Sequence, residues 1–267
     1  MKNRIINFVL VIGSAIAITS CKPGSGANTA TTKADNSKEA HKKHWNYEGE
    51  TGPEHWCEID KNDCGGQAQS PIDIFGAKKD GSLKPIDFHY DSQTKVHDVV
   101  NNGHTIQFNF EPGDYIMISG EKFELKQFHF HEPAEHTING VRYPLVAHLV
   151  HVNKDGKIAV VEVMGKEDDE NNDVYEFLEK YLPVKENQSK EINAHLDFSK
   201  ILPDNKAYYT YTGSLTTPPC TEGVQWFVMK EAIDVSPKMI KDLKDLMPKN
   251  NFRSVQPLNG RIIKESM

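Results

Sequence analysis

The sequence predicts a sheet-dominated α+β protein with a single folded domain, within a chain of 267 residues. Short runs rich in β-branched and aromatic residues recur between turn signals, and only two segments have helical periodicity. No polar linker or repeat interrupts the chain after Trp45. The expected strand runs are 99–110, 115–119, 123–131, 143–152, 157–164 and 224–229.

The two helical segments are 174–182 and 236–247, each with apolar residues at helical spacing. The second has a clear start, because Ser236 is a good N-cap and Pro237 suits the first helical position. Pro248 follows its end.

The charged side chains are scattered in both signs, with 38 acidic and 31 basic residues and a net charge of -7. Nucleic-acid-binding proteins usually concentrate positive charge on one face. We therefore expect no nucleic-acid partner.

Residues 1–20 have the pattern of a signal peptide, in which Lys2 and Arg4 precede the apolar run 5–18. The run is too short to favour a membrane span. Residues 18–21 resemble a bacterial lipobox, which predicts lipidation of Cys21, while a plain signal peptide with a chance cysteine is the alternative. The sequence therefore predicts export to the periplasm or cell envelope, with membrane contact through a lipid anchor only.

Residues 21–43 begin with Cys21 and are rich in small and polar residues without a hydrophobic period, so we expect a flexible tether. The folded domain is expected over 44–267. Its three cysteines, Cys57, Cys64 and Cys220, are an odd number in an oxidising compartment, so one stays unpaired, and their spacing does not decide which.

A candidate metal site begins in a strand where histidine and phenylalanine alternate. Because side chains alternate between faces, His129 and His131 point the same way, away from Phe128 and Phe130. The same alternation predicts one shared face for Leu125, Gln127, His129 and His131.

A hairpin signal at Asn139-Gly140 brings a third histidine to this pair. The simplest register sets His131 directly opposite His148 and leaves His129 on the diagonal. Pro133 could bulge this register, and a slip of one residue would turn His148 to the other face.

Three imidazoles without a fourth protein ligand are typical of catalytic zinc, which keeps an open coordination position. We therefore expect Zn²⁺ bound by His129, His131 and His148. His136 and His151 are alternative ligands, but alternation turns His151 away from the face of His148.

The chain resembles the α-carbonic anhydrase family from residue 44 to residue 261. The motifs that carry the resemblance lie at 44–47, 52–56, 69–74, 101–104, 127–131, 135–136, 148–151, 213–219, 251–253 and 257–261. The resemblance implies a central, twisted, mostly antiparallel β-sheet with surface helices and a metal at the bottom of a conical cleft.

The resemblance also implies an enzyme that reversibly hydrates carbon dioxide to bicarbonate and a proton, with zinc hydroxide as nucleophile. Thr216 would accept a hydrogen bond from the hydroxide and donate to Glu135, and His104 would shuttle the proton. The implied substrate pocket is Val150, Val160, Leu215, Thr217 and Trp226. The implied proton path is Tyr47, Asn102 and Gln107, although the family often has Asn in place of Gln107.

Further residues would orient the metal ligands by accepting their other ring proton. The resemblance assigns Gln127 to His129 and the main-chain carbonyl of Asn251 to His131. Many relatives have a carboxylate two residues before the third ligand, where this chain has Val146. Loss of such a partner typically costs about 10- to 100-fold in metal affinity or activity, so we expect weaker zinc binding unless water or another side chain takes its place.

The resemblance pairs Cys64 with Cys220 in a disulfide and leaves Cys57 free or open to an intermolecular partner. Two other functions compete with the hydration of carbon dioxide. One is a carbonic-anhydrase-like binding module at the cell surface that has lost most or all of its catalysis, and the other is a zinc hydrolase of esters. Small molecules are the expected ligands, and no oligomeric state is predicted.

Overall fold

The computed structural model describes residues 44–59, 62–169 and 172–267. The predicted signal peptide 1–20, the lipidation site Cys21 and the tether 21–43 lie outside the described residues. Within them, no helix is long and apolar enough to cross a membrane.

The described residues form fifteen strands, two α-helices and three short 3-10 helices. The α-helices are α1 (Asp173–Glu179) and α2 (Pro237–Leu246), and the 3-10 helices are Gly49–Thr51, Pro53–Glu58 and Phe198–Ile201. The strands are β1 (Asp73–Ile74), β2 (Lys78–Lys79), β3 (Asp87–His89), β4 (Thr94–Asn101), β5 (Ile106–Phe110), β6 (Tyr115–Ile118), β7 (Glu121–His131), β8 (Thr137–Ile138), β9 (Leu145–Asn153), β10 (Ile158–Glu167), β11 (Gln188–Leu196), β12 (Tyr208–Ser214), β13 (Glu222–Met229), β14 (Ile233–Val235) and β15 (Lys264–Glu265).

Thirteen of these strands form one large sheet, with the order β11-β4-β5-β7-β9-β10-β13-β12-β15-β2 along its main path. Most neighbours are antiparallel, whereas β13 and β14 both run parallel to β10, and β2 runs parallel to β15. The predicted sheet-dominated α+β fold with a mostly antiparallel central sheet is confirmed.

The sheet face that carries His129 packs on a cluster of apolar residues that we call the metal-side core. It contains Ile72, Ile74, Ala134, Val146, Val160, Met164, Tyr211, Val224, Trp226, Val228 and Ile263. The other face, which carries Phe128 and Phe130, packs on a larger core that includes both α-helices. The strands between these two cores therefore supply the metal site with a rigid floor.

Leu125 lies on the opposite face from the one expected. It faces His151 across the β7/β9 pair, whereas Gln127 already faces Val150, so Lys126 is an extra residue in a β-bulge. The bulge reverses the alternation, and Leu125 packs in the larger core.

Both predicted helices are present, with slightly different ends. Asn172 caps α1 by accepting from the main-chain N of Val174, and Ser236 caps α2 by accepting from the N of Met239 at 3.2 Å. Helix α2 therefore begins at Pro237, as its sequence predicts.

Candidate active site

The three predicted ligands converge from two neighbouring strands, but with a different register from the one expected. His129 faces His148 across the β7/β9 pair, and His131 faces Val146. The prediction that His131 lies directly opposite His148 is therefore wrong.

The register changes beside the hairpin turn. Ile138 and Val141 pair as the Asn-Gly signal predicts, but the next contact is a hydrogen bond of 3.0 Å from the N of Ala134 to the O of Tyr143. The chain advances four residues from Ala134 to Ile138 but only two from Val141 to Tyr143, and Thr137 and Ile138 also pair with β1. A shift of two residues preserves the faces, so all three histidines still point the same way.

The three imidazoles form a compact triangle. Their ring centroids are 5.2 Å apart for His129 and His131, 5.2 Å for His129 and His148, and 4.8 Å for His131 and His148. One nitrogen from each ring lies within 4.8 Å of the other two. Nε2 of His131 is buried and has no hydrogen-bond partner among the described residues. A metal ion coordinated by all three rings would satisfy it, so the residues fit zinc.

Hydrogen bonds hold two of the rings in one orientation. Nδ1 of His129 lies 2.9 Å from Oε1 of Gln127, and Nδ1 of His131 contacts the main-chain O of Asn251. Both contacts leave Nε2 to face the centre of the triangle. Burial lowers the pKa of His129 and of His131, which keeps these imidazoles neutral, as metal ligands must be.

The third ring has a partner that the sequence analysis missed. Val146 provides none, but Glu162 on β10 faces His148 directly, and its Oε2 lies 3.1 Å from Nε2 of His148. Glu162 is fully buried. The signal for it is visible in the sequence, because it is the one charged residue in the apolar run 158–164.

Glu162 also connects the metal site to a chain of buried polar groups. Its Oε2 lies 2.6 Å from Nδ1 of His136, whose Nε2 lies 2.6 Å from the hydroxyl of Tyr211. That hydroxyl lies 2.7 Å from Oγ of Ser70. Burial raises the pKa of Glu162, but the neighbouring His136 and His148 outweigh it and hold the pKa at about 2.

The alternative ligands differ in their surroundings. His136, His148 and Glu162 form a second group with metal-binding side chains close together. His151 lies apart, with Nε2 2.8 Å from the hydroxyl of Tyr90, on the face opposite His148. Alternation in β9 therefore places His151 as expected.

Glu135 lies beside the triad and is fully buried. Its Oε1 accepts a hydrogen bond of 2.9 Å from the main-chain N of Arg253, and its Oε2 lies 3.5 Å from Nε2 of His131. Oε2 makes no hydrogen bond to any described residue. Thr216 is buried in the loop after β12, and its contact with Glu135 stays a prediction.

Arg253 is a second residue that the sequence analysis gave no role. Its guanidinium donates to Oε1 of Gln69 at 2.7 Å, to the O of Ser70 at 2.9 Å and to the O of Cys64 at 2.8 Å. The same residue holds Glu135 through its main chain. Arg253 therefore connects Glu135, beside the triad, to the segment around Cys64 that carries the disulfide.

The expected substrate pocket lies in one row across three strands. Val160 faces Val150 on one side and Trp226 on the other, and this row adjoins the row of His129 and His148. Trp226 and His148 are in edge contact with ring centroids 5.0 Å apart. Leu215 packs against the same metal-side core, and Thr217 is half-buried in the loop that follows.

His104 is half-buried and lies in a stack of rings at the edge of the site. Its ring centroid is 3.7 Å from that of Trp45 and 5.3 Å from that of His44. Burial and then the charge of His44 lower the pKa of His104 to about 4. Nδ1 of His104 and the hydroxyl of Tyr47 are both buried without a hydrogen bond to a described residue.

The other two residues of the expected proton path differ in their contacts. Asn102 is exposed and holds the turn, since its Oδ1 accepts from the N of His104 and of Thr105 at 2.9 Å. Gln107 faces His129 across the β5/β7 pair, and its Nε2 donates to Oδ1 of Asn109 at 2.8 Å.

The predicted disulfide between Cys64 and Cys220 is confirmed, with the two Cα atoms 4.8 Å apart. Cys57 is exposed and pairs with no other described cysteine. The bridge joins the segment before β1 to the loop that carries Thr216.

Comparison with known proteins agrees with this geometry. The family model described as eukaryotic-type carbonic anhydrase matches residues 51–267. A carbonic anhydrase of Klebsiella pneumoniae is 41% identical over 227 residues, which cover 83% of this chain and 91% of the relative.

Two solved structures share both fold and sequence with the chain. A hyperthermostable carbonic anhydrase identified from an active hydrothermal vent chimney has a TM-score of 0.79 and 44% identity, covering 84% of this chain and 100% of that one. The α-carbonic anhydrase of Thermovibrio ammonificans, in complex with the inhibitor sulfanilamide, has a TM-score of 0.78 and 42% identity, with 84% and 99% covered. The family match over most of the chain, together with these relatives, shows that the chain belongs to the α-type carbonic anhydrase family.

Proposed function

We propose that the protein reversibly hydrates carbon dioxide to bicarbonate and a proton, with zinc held by His129, His131 and His148. The observation that carries the proposal is the triangle of imidazoles, in which one nitrogen of each ring lies within 4.8 Å of the other two. Bound zinc supplies Lewis acidity, which in carbonic anhydrases lowers the pKa of a coordinated water to about 7.

Each histidine contributes one nitrogen to this site and uses the other for orientation. Gln127 and the carbonyl of Asn251 fix the first two rings. Asn251 also donates through Nδ2 to the main-chain O of His104 at 3.0 Å. One residue therefore couples the position of a metal ligand, through its main chain, to that of the proposed proton carrier, through its side chain.

Glu135 and Thr216 are proposed to orient the reacting water. The main-chain N of Arg253 occupies one oxygen of Glu135 and leaves Oε2 to accept a hydrogen bond. If the Thr216 hydroxyl donates its one proton to Oε2 of Glu135, it has none left to donate to the reacting water. The hydroxyl oxygen can then only accept a hydrogen bond from that water. This fixes the direction of the lone pair that attacks carbon dioxide.

The apolar row beside the triad suits an uncharged substrate. Val150, Val160 and Trp226 offer no hydrogen bond to compete for the water, and Trp226 donates its Nε1 to the O of Ser214 at 3.0 Å, outside the pocket. Carbon dioxide bound against this wall would lie next to the triad without displacing a ligand.

The reaction releases one proton for each carbon dioxide that is hydrated, and His104 is proposed to carry it to buffer. Stacked on Trp45, His104 has its pKa lowered to about 4, so in this position it is a weak proton acceptor. Uptake of the proton therefore requires the ring to move to a more solvated position, from which it returns the proton to solvent.

We also propose that the enzyme works outside the cytoplasm. The apolar run 5–18 after Lys2 and Arg4 supports export, and Cys21 after Ile18-Thr19-Ser20 supports a lipid anchor in the cell envelope. The oxidised Cys64 and Cys220 pair is consistent with such a compartment.

The test is stopped-flow measurement of carbon dioxide hydration by the zinc-loaded protein, together with its zinc content. We expect one zinc per chain and rapid hydration, and we expect His131→Ala to lose both. His151→Gln is the matched control, because His151 is also buried but lies outside the triad, and it should keep both. A wild-type protein that binds zinc without hydrating carbon dioxide would instead support the binding module.

A further inference from the structure

Glu162 is a buried charge on the metal-side face of the sheet, with apolar neighbours along its own strand and on β13. On β10 it lies between Val160 and Met164 on the same face, and across the parallel pair it faces Val228. It is fully buried. A buried carboxylate costs several kcal/mol unless it is paired, so the fold tolerates Glu162 because of what it contacts.

Its contacts are made with two histidines through one oxygen. Oε2 lies 3.1 Å from Nε2 of His148 and 2.6 Å from Nδ1 of His136. With Nε2 facing Glu162, Nδ1 is the nitrogen of His148 left to face the triad. The side chain two residues before His148, where the family resemblance predicts a carboxylate, is the buried Val146, which accepts no hydrogen bond.

We propose that Glu162 is the positioning residue of the third zinc ligand, supplied from the neighbouring strand in place of a carboxylate at position 146. Cross-strand pairing makes this exchange possible, because Glu162 and Val146 both adjoin His148 on the same face. The inference rests on the proposed function, since it assigns a role toward the zinc of that site.

The distances favour this role over a second metal site built from His136, His148 and Glu162. Separations of 2.6 Å and 3.1 Å are those of direct contacts between N–H groups and a carboxylate oxygen. Both nitrogens lie within ion-pair distance of Oε2, although neither contact has the angles of a hydrogen bond. The other nitrogen of His136, Nε2, is hydrogen-bonded to the Tyr211 hydroxyl at 2.6 Å.

The same carboxylate ties the zinc ligand to the loop that carries Thr216. The hydroxyl of Tyr211 lies 2.7 Å from Oγ of Ser70, which accepts from the N of Ser214 at 3.0 Å. Glu162 therefore begins a continuous line of polar contacts from His148 to the start of that loop. Removal of its charge should loosen the ligand without breaking the sheet.

The experiment compares zinc dissociation constants by chelator competition for the wild type, Glu162→Gln and the exchange variant Val146→Glu/Glu162→Val. Asp114→Asn is the control, because Asp114 is also a buried carboxylate but its contacts are with Thr94 and Asp91. Thermal unfolding of the zinc-free proteins reports any structural cost. The absorption spectrum of the cobalt-substituted proteins reports the geometry of the ligands.

We expect Glu162→Gln to weaken zinc binding about 10- to 100-fold and to change the cobalt spectrum. The exchange variant should recover most of the lost affinity, and Asp114→Asn should leave it unchanged. Zinc affinity within twofold of the wild type in Glu162→Gln would overturn the inference, as would two zinc ions per wild-type chain. A wild type that binds no zinc would overturn the proposed function as well. Zinc binding by the wild type therefore distinguishes failure of the inference on Glu162 from failure of the proposed function.

Discussion

Removal of the Cys64 and Cys220 disulfide should destabilise the protein strongly. The two residues are 156 positions apart. The entropy of closing a loop of that length in the unfolded chain corresponds to about 5 kcal/mol. We therefore expect the double variant Cys64→Ala/Cys220→Ala to lose about 5 kcal/mol of unfolding free energy. For a domain of this size the loss lowers the melting temperature by about 10 to 20 °C.

The assay is urea unfolding of zinc-free protein, because bound metal would add its own stabilisation. Cys57→Ala is the matched control, since Cys57 is exposed and unpaired with any described cysteine. It should change the free energy by less than about 0.5 kcal/mol. A loss below about 2 kcal/mol in the double variant would refute the chain-entropy reasoning.

Three further predictions follow from the buried histidines and their neighbours. Burial lowers the pKa of His151 from 6.5 to about 3, so as the pH falls only the unfolded state takes up its proton. His151→Gln should therefore reduce the stability lost between about pH 6.5 and pH 4.5 by about 2 kcal/mol, measured by urea unfolding. Val146→Glu alone should not improve zinc affinity, and it should lower the melting temperature, because two carboxylates would compete for one nitrogen of His148. His104→Ala should lower kcat about 10- to 100-fold in weak buffer, with little effect on kcat/KM, and added imidazole should restore it.

Each of these has a contradicting outcome. An unchanged pH dependence in His151→Gln would mean that this histidine takes up a proton in the folded protein. Tighter zinc binding in Val146→Glu would mean that Glu162 leaves the third ligand short of a partner. Full turnover without His104 would mean that the proton leaves by another route.

The strands and the three histidines were predictable because they depend on local alternation. Five of the six expected strand runs were confirmed, whereas 99–110 is not one strand but the end of β4, a turn and β5. The shared face of His129 and His131 follows from a period of two residues. The long strands β11 and β12 were both missed. Most side chains of β11 are exposed and polar, as suits the edge of a sheet.

The register and the Glu162 contact depend on pairings between distant segments. The register near Ala134 changed because β8 pairs with β1, more than sixty positions earlier in the chain. The contact between Glu162 and His148 could be predicted only from the pairing of β10 with β9, which places the two residues opposite each other. A sequence motif read along one strand contains neither fact, so Val146 alone suggested a missing partner.

The most direct test of the central claim is anomalous diffraction at the zinc edge, from crystals of the protein grown with zinc. We predict one strong peak between Nε2 of His129, Nε2 of His131 and Nδ1 of His148. No peak there, or a peak among His136, His148 and Glu162, would contradict the proposed zinc site.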